Sequence, residues 1–189
     1  MFFRAPKRPP LTREQFNNPL FSIGEHTYGC PEIKSFSDGT KLSIGKFCSI
    51  ASQVTILLGG NHRTDWNSTY PFPDMPGQWP EAESISGHPQ TKGDLSIGHD
   101  VWIGYGSTIL SGLSIGSGVV IGACSIVASD VEPYGIVAGN PARLVKSRFP
   151  PELCEQLLAH EWWDLPEEVI RKNLDIICSN QIHKLLRIK

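Results

Sequence analysis

The 189-residue sequence predicts an all-β solenoid, a parallel β-helix of hexapeptide repeats with an inserted loop and a C-terminal helical extension. Three observations carry that expectation: aliphatic residues recur every sixth position, glycine falls in phase with them, and charge is almost absent from the same stretch. From Ile97 the chain divides into IGHDVW, IGYGST, ILSGLS, IGSGVV, IGACSI and VASDVE. The first position is always branched (Ile97, Ile103, Ile109, Ile115, Ile121, Val127), and the second is small everywhere but Leu110. The fifth holds Val101, Ser107, Leu113, Val119, Ser125 and Val131. A helix cannot hold this pattern, because seven glycines lie between residues 97 and 132, each costing about 1 kcal/mol in a helix interior. Branched side chains favour extended backbone and point into the coil, while small residues serve the corners. From Leu95 to Ser129 only Asp100 is charged at neutral pH, which suits coils buried within and partly covered outside by another subunit. A flexible Gly-rich linker has no reason to place an aliphatic residue every sixth position.

Residues 1–19 are expected to be an extended N-terminal segment and residues 20–149 the β-helix. The repeat starts weakly at Ile23 in FSIGEHTYG and is clear in LSIGKFCSIASQVTI, which sets Ile44, Ile50 and Ile56 six apart. Residues 57–94 break the period and contain five prolines, two tryptophans and two histidines. A long, composition-rich loop between repetitive elements is the place to look for chemistry. After Glu132 the segment PYGIVAGNPARLVKSRF leaves the repeat. Residues 150–189 turn helical: Pro151 and Pro166 suit first-turn positions with acidic residues close behind, and Leu153, Leu157, Leu158, Val169, Ile170, Leu174 and Ile177 form apolar stripes. These helices are expected to cover an end or side of the solenoid.

A formal net charge of −2 argues against a nucleic-acid binder. No apolar run is long enough to span a bilayer or to act as a signal peptide. The five cysteines contain no CxxC pair, so neither a zinc knot nor a disulfide framework is expected. The expectation is a cytoplasmic protein with reduced thiols.

The hexads, the loop GGNHRTDWNSTYPF (59–72), the run DVWIGYGSTILSG (100–112) and the segment GNPARLVKSRF (139–149) resemble the hexapeptide-repeat acyltransferases over roughly residues 20–178. The resemblance is to their xenobiotic branch, the streptogramin and chloramphenicol acetyltransferases, and to sugar-acetylating relatives. It implies a left-handed β-helix, a homotrimer and acetyl-CoA bound between subunits. It also implies that His62 is the general base, a role that suits histidine because its ordinary pKa lies near neutrality. By the same resemblance Trp102 lies beside the thioester end of the cofactor. Gly104, Tyr105, Ala123 and Ala128 would follow the pantetheine arm, and Arg143 and Lys146 would meet the phosphates. Trp66, Tyr70 and Phe72 are candidates for the acceptor wall, or for a small core that fixes the loop. Asp65 either orients His62 or closes the turn. Direct attack by the acceptor requires no covalent acetyl-enzyme, so no cysteine needs a catalytic role.

Two departures from the antibiotic-modifying members direct the expectation towards a sugar hydroxyl. The first repeat has a single tyrosine, Tyr28, in HTYGCPEI, and Asn61 and His62 are adjacent. Antibiotic O-acetylation, amino-sugar N-acetylation and a non-catalytic scaffold are the alternatives. A zinc hydrase of the γ-carbonic anhydrase kind would pair two histidines five residues apart. The histidines at 26, 62, 88, 99, 160 and 183 contain no such pair, so no metal is expected. His88 and His99 are expected to be loop and corner residues, and His160 and His183 to carry no chemistry.

Overall fold

A computed structural model of the chain describes residues 9–36 and 39–189. Residues 1–8 of the expected N-terminal segment lie outside the described residues, and residues 12–14 form a single 3-10 turn. Strands β1 (Phe21–Ile23), β2 (Glu32–Ser35), β3 (Leu42–Ile44), β4 (Ser49–Ile50) and β5 (Thr55–Leu58) precede the loop. After it come β6 (Leu95–Ile97), β7 (Trp102–Ile103), β8 (Thr108–Ile109), β9 (Ser114–Ile115), β10 (Val120–Ile121) and β11 (Ile126–Val127). Two longer strands, β12 (Gly135–Gly139) and β13 (Ala142–Ser147), lead into α1 (Pro151–His160), α2 (Glu167–Lys172), α3 (Leu174–Ile177) and α4 (Ile182–Leu185).

The strands fall into three sheets: β1-β3-β6-β9, then β4-β7-β10-β12-β13, then β2-β5-β8-β11, here called the first, second and third faces. From β3 to β11 successive strands pass from first to second to third face, and every third strand returns to the face it left. Pairing is parallel throughout the first and third faces, and only β12 with β13 is antiparallel in the second. The registers stack like on like: Ile44 with Ile97 and Ile115, Ile50 with Ile103 and Ile121, Ile56 with Ile109 and Val127. Each first-position residue of the six hexads is buried in one continuous core.

The fifth position is buried as well, including Ser107 and Ser125, whose hydroxyls both donate to the carbonyl of Gly122 at 3.0 and 2.6 Å. Their burial costs little because each donor is matched. The corners use small residues for two separate reasons. At the second position a Cβ on Gly98 or Gly104 would stand 2.6–2.7 Å from the next coil. At the fourth position the backbone turns left-handed at Asp100, Gly106, Gly112, Gly118 and Cys124, one residue in six. The helical extension packs against one side of the coils through His99 on Trp163, Phe47 on Trp162, and an Asp164–Lys46 ion pair at 2.7 Å.

Candidate active site

The loop leaves the coils after β5 and re-enters at β6, so it grows from the corner between the third and first faces. Leu57 and Leu58, read from sequence as its first residues, belong to β5, where Leu58 is wholly buried. Asn61 and Gln90 close the loop's neck through two backbone hydrogen bonds, at 2.9 and 2.7 Å. His62 stands one residue inside that neck. Its Nδ1 lies 2.7 Å from the carbonyl oxygen of Thr69. A carbonyl can only accept, so in the neutral ring Nδ1 carries the hydrogen and Nε2 keeps its lone pair. The ring is exposed to solvent on one side and meets the His88 ring edge to face on another, with centroids 4.8 Å apart at 85°.

Asp65 does not reach His62. Its carboxylate is taken by Arg63 in a two-point pair, with Nε to Oδ1 at 2.7 Å, and the guanidinium holds the carboxyl down at about 2. Arg63 lies over the ring of Trp66 at 5.1 Å. Trp66, Phe72, Pro73 and Ile85 form the apolar side of an open cavity of about 450 Å³, with Asp65, Asn67 and Ser68 on its polar side. Tyr70 does not line that cavity; its ring packs on Phe72 (4.7 Å) and its hydroxyl meets the Met75 sulfur at 3.1 Å. Trp79, which the sequence reading passed over, completes the cluster edge-on to Phe72 at 5.2 Å.

The cofactor candidates lie elsewhere on the molecule. Trp102 opens β7 and is 57% exposed on the second face, opposite the corner that carries the loop. Trp102, Val120 and Ile136 stand in register on neighbouring strands, and Ile136 pairs with Lys146. The row spans three strand spacings, about 14 Å. Arg143 pairs with Ala138 on the same outer side, and its guanidinium and the Lys146 side chain are exposed. Tyr105 is exposed and its hydroxyl donates to Gln53 at 2.6 Å. Ala123 and Ala128 are exposed and flank β11 on either side. Gly104 is buried, and the adjacent coil, at Ala123 and Ile121, leaves no room for a side chain there.

His99 is a corner residue that accepts from the Lys46 amide at 3.1 Å and stacks on Trp163, and burial lowers its pKa. Burial raises the Cys48 thiol to about 11, which makes it a poor nucleophile. Among the described residues no group of three His, Cys, Asp or Glu side chains is arranged to hold a metal ion, and no helix is long and apolar enough to cross a membrane.

Comparison with known proteins identifies the family. The bacterial transferase hexapeptide family (six repeats) matches residues 94–129. Chloramphenicol acetyltransferase of Escherichia coli is 40% identical, over 98% of this chain and 95% of its own length. Virginiamycin A acetyltransferase of Staphylococcus aureus is 38% identical over 95% of this chain and 84% of its own. A hexapeptide-repeat-containing acetyltransferase from Vibrio cholerae O1 biovar eltor, in a solved complex with acetyl coenzyme A, superposes with a TM-score of 0.53 at 25% identity. That match covers 70% of this chain but only 62% of the solved one, less than two thirds of its length. The chain belongs to the hexapeptide-repeat acyltransferases.

Proposed function

We propose that the protein transfers an acetyl group from acetyl-CoA to a hydroxyl group of a small acceptor, with His62 as the general base. The observation that carries this is the Nδ1 contact of His62 with the Thr69 carbonyl, which leaves Nε2 unprotonated on an exposed ring. In the reaction Nε2 takes the hydroxyl proton as the oxygen bonds to the thioester carbonyl carbon. The carbon–sulfur bond then breaks, and the same proton passes to the departing CoA sulfur. No acetyl-enzyme forms. Trp102, Tyr105, Ala123 and Ala128 flank the path of the pantetheine arm, and the exposed cations Arg143 and Lys146 suit its phosphates.

The fold in this reading is a left-handed parallel β-helix (residues 20–149) carrying the loop, followed by the helical extension (150–189). His62 stands at the corner opposite the face that bears Trp102, so one chain does not bring the two halves of the site together. A homotrimer, in which the loop of one subunit meets the second face of the next, completes it and covers the uncharged coils.

The cavity in the same loop, which His62 does not itself line, combines aromatic faces with Asp65, Asn67 and Ser68, a lining that suits the apolar face and hydroxyls of a saccharide ring. The antibiotic reading is the second, favoured because chloramphenicol and virginiamycin A acetyltransferases match nearly the whole chain. Release of CoA thiol in the presence of saccharides, nucleotide-sugars, chloramphenicol and a group A streptogramin tests both. Release that depends on one acceptor class and on His62 supports the reading and chooses between the two acceptors. An absence of CoA binding refutes it.

A further inference from the structure

We propose that His88, anchored by Asp74, is a positioning residue for His62; the inference rests on His62 being the base. His88 is 26 residues away in sequence, and only the Asn61–Gln90 pairing at the loop's neck brings it opposite His62. Its side chain is 3% exposed although it sits in a surface loop. Nδ1 lies 2.9 Å from Asp74 Oδ2, and Nε2 is buried with no hydrogen-bond partner among the described residues. A buried imidazole with one nitrogen unmatched is costly, of the order of 1–3 kcal/mol. Nothing in the packing of the loop requires it, since an apolar ring of the same size would fill the space without that cost. What the imidazole and Asp74 provide is a ring fixed in orientation and set against His62.

His62 itself has little else to hold it. It is exposed, and among the described residues the Thr69 carbonyl, seven residues away in the same loop, is its one hydrogen-bond partner. One hydrogen bond fixes a nitrogen and leaves the ring free to swing about it. The His88 ring, at right angles and 4.8 Å away, restricts that freedom. Asp74 supplies the anchor from the 3-10 turn Phe72–Asp74, whose Phe72 also lines the cavity. Acceptor cavity and base are thereby tied through one short segment. Misplacing a catalytic group by about 1 Å costs on the order of 100-fold in rate, so loss of this support should be large without abolishing the chemistry.

The test compares His88→Ala, His88→Phe, Asp74→Ala and Asp74→Asn with His62→Ala. The steady-state readout is kcat and KM for both substrates. The second readout is 15N NMR of histidine-labelled protein, which reports the tautomer of His62 directly. The expected result is a fall in kcat of about 10- to 100-fold for His88→Ala and Asp74→Ala, with KM for acetyl-CoA unchanged. Asp74→Asn, which keeps an oxygen acceptor for His88 Nδ1, recovers most of that loss. The double variant His88→Ala/Asp74→Ala is no worse than either single one, because the two act as a unit. His62 is expected as the Nδ1–H tautomer in the wild type and as a mixture of tautomers in His88→Ala. His88→Phe keeps the loop filled if His88→Ala does not fold. The inference is overturned by unchanged kcat and an unchanged His62 tautomer in His88→Phe or His88→Ala while His62→Ala is inactive. If His62→Ala itself retains turnover, the base assignment fails first and the positioning role falls with it.

Discussion

Gly104 separates two readings of the same residue. Sequence resemblance implies that it serves the approach of the pantetheine arm; coil stacking offers a second reason for the glycine, since the adjacent coil leaves no room for a Cβ. An alanine Cβ there would stand 2.7 Å from both the Ala123 nitrogen and the Ile121 oxygen, against about 3.4 Å for ordinary contact. Both neighbours are backbone, so the two coils must spread locally by about 0.7 Å, and no side-chain rotation relieves the clash. Overpacking of this kind costs about 1–3 kcal/mol. For a chain of this size that corresponds to a fall in Tm of roughly 2–12 °C. The assay is thermal unfolding of Gly104→Ala, paired with CoA affinity measured well below the transition. Gly77→Ala is the control, since its Cβ would have nothing within 4 Å and its Tm should hold. The coil explanation predicts a lower Tm with CoA affinity nearly intact. An unchanged Tm with lost CoA affinity would refute it and return Gly104 to the cofactor.

Three further outcomes follow from the same geometry. Arg143→Ala should weaken CoA more than its analogue lacking the 3′-phosphate, by isothermal titration; equal weakening of the two removes the phosphate contact. Burial holds the His99 pKa below its ordinary value, so the unfolded chain binds more protons as acid is added and stability present above the ordinary value drains away. Tm should therefore fall as the pH drops through and below the ordinary histidine value of about 6.5, and His99→Phe, which preserves a ring against Trp163, should show a shallower decline. If the site lies between subunits, co-expressed His62→Ala and Trp102→Ala chains should recover up to about a quarter of wild-type activity averaged over randomly mixed trimers, whereas either variant alone stays low. No recovery in oligomers shown to be mixed would place the whole site within one chain.

The coils were legible in the sequence because each position of the hexad repeats its environment. Ile103 and Ile121 face the core for the same reason, and six copies of one rule reveal themselves as a period. The two buried serines at the fifth position were visible as departures, but their shared acceptor, the Gly122 carbonyl, was not. In the loop nothing repeats. His62 stood out through its resemblance to a family motif, yet its hydrogen bond to Thr69 depends on a turn that no pattern announces. His88 was passed over as an ordinary loop residue, since its position opposite His62 comes from backbone pairing at Asn61 and Gln90. Asp65 was weighed as a partner for His62, and an arginine two residues before it claimed the carboxylate instead. The separation of His62 from Trp102 follows from which corner bears the loop, and that is a property of the wound chain alone.

The most direct test of the account is the effect of His62→Ala on turnover and on CoA affinity in the same preparation. A positioned general base contributes about 10²- to 10⁴-fold, so kcat should fall by that factor while the dissociation constant for CoA stays within about twofold of wild type. Turnover close to wild type, with CoA bound as before, would contradict the central claim that His62 takes the acceptor's proton.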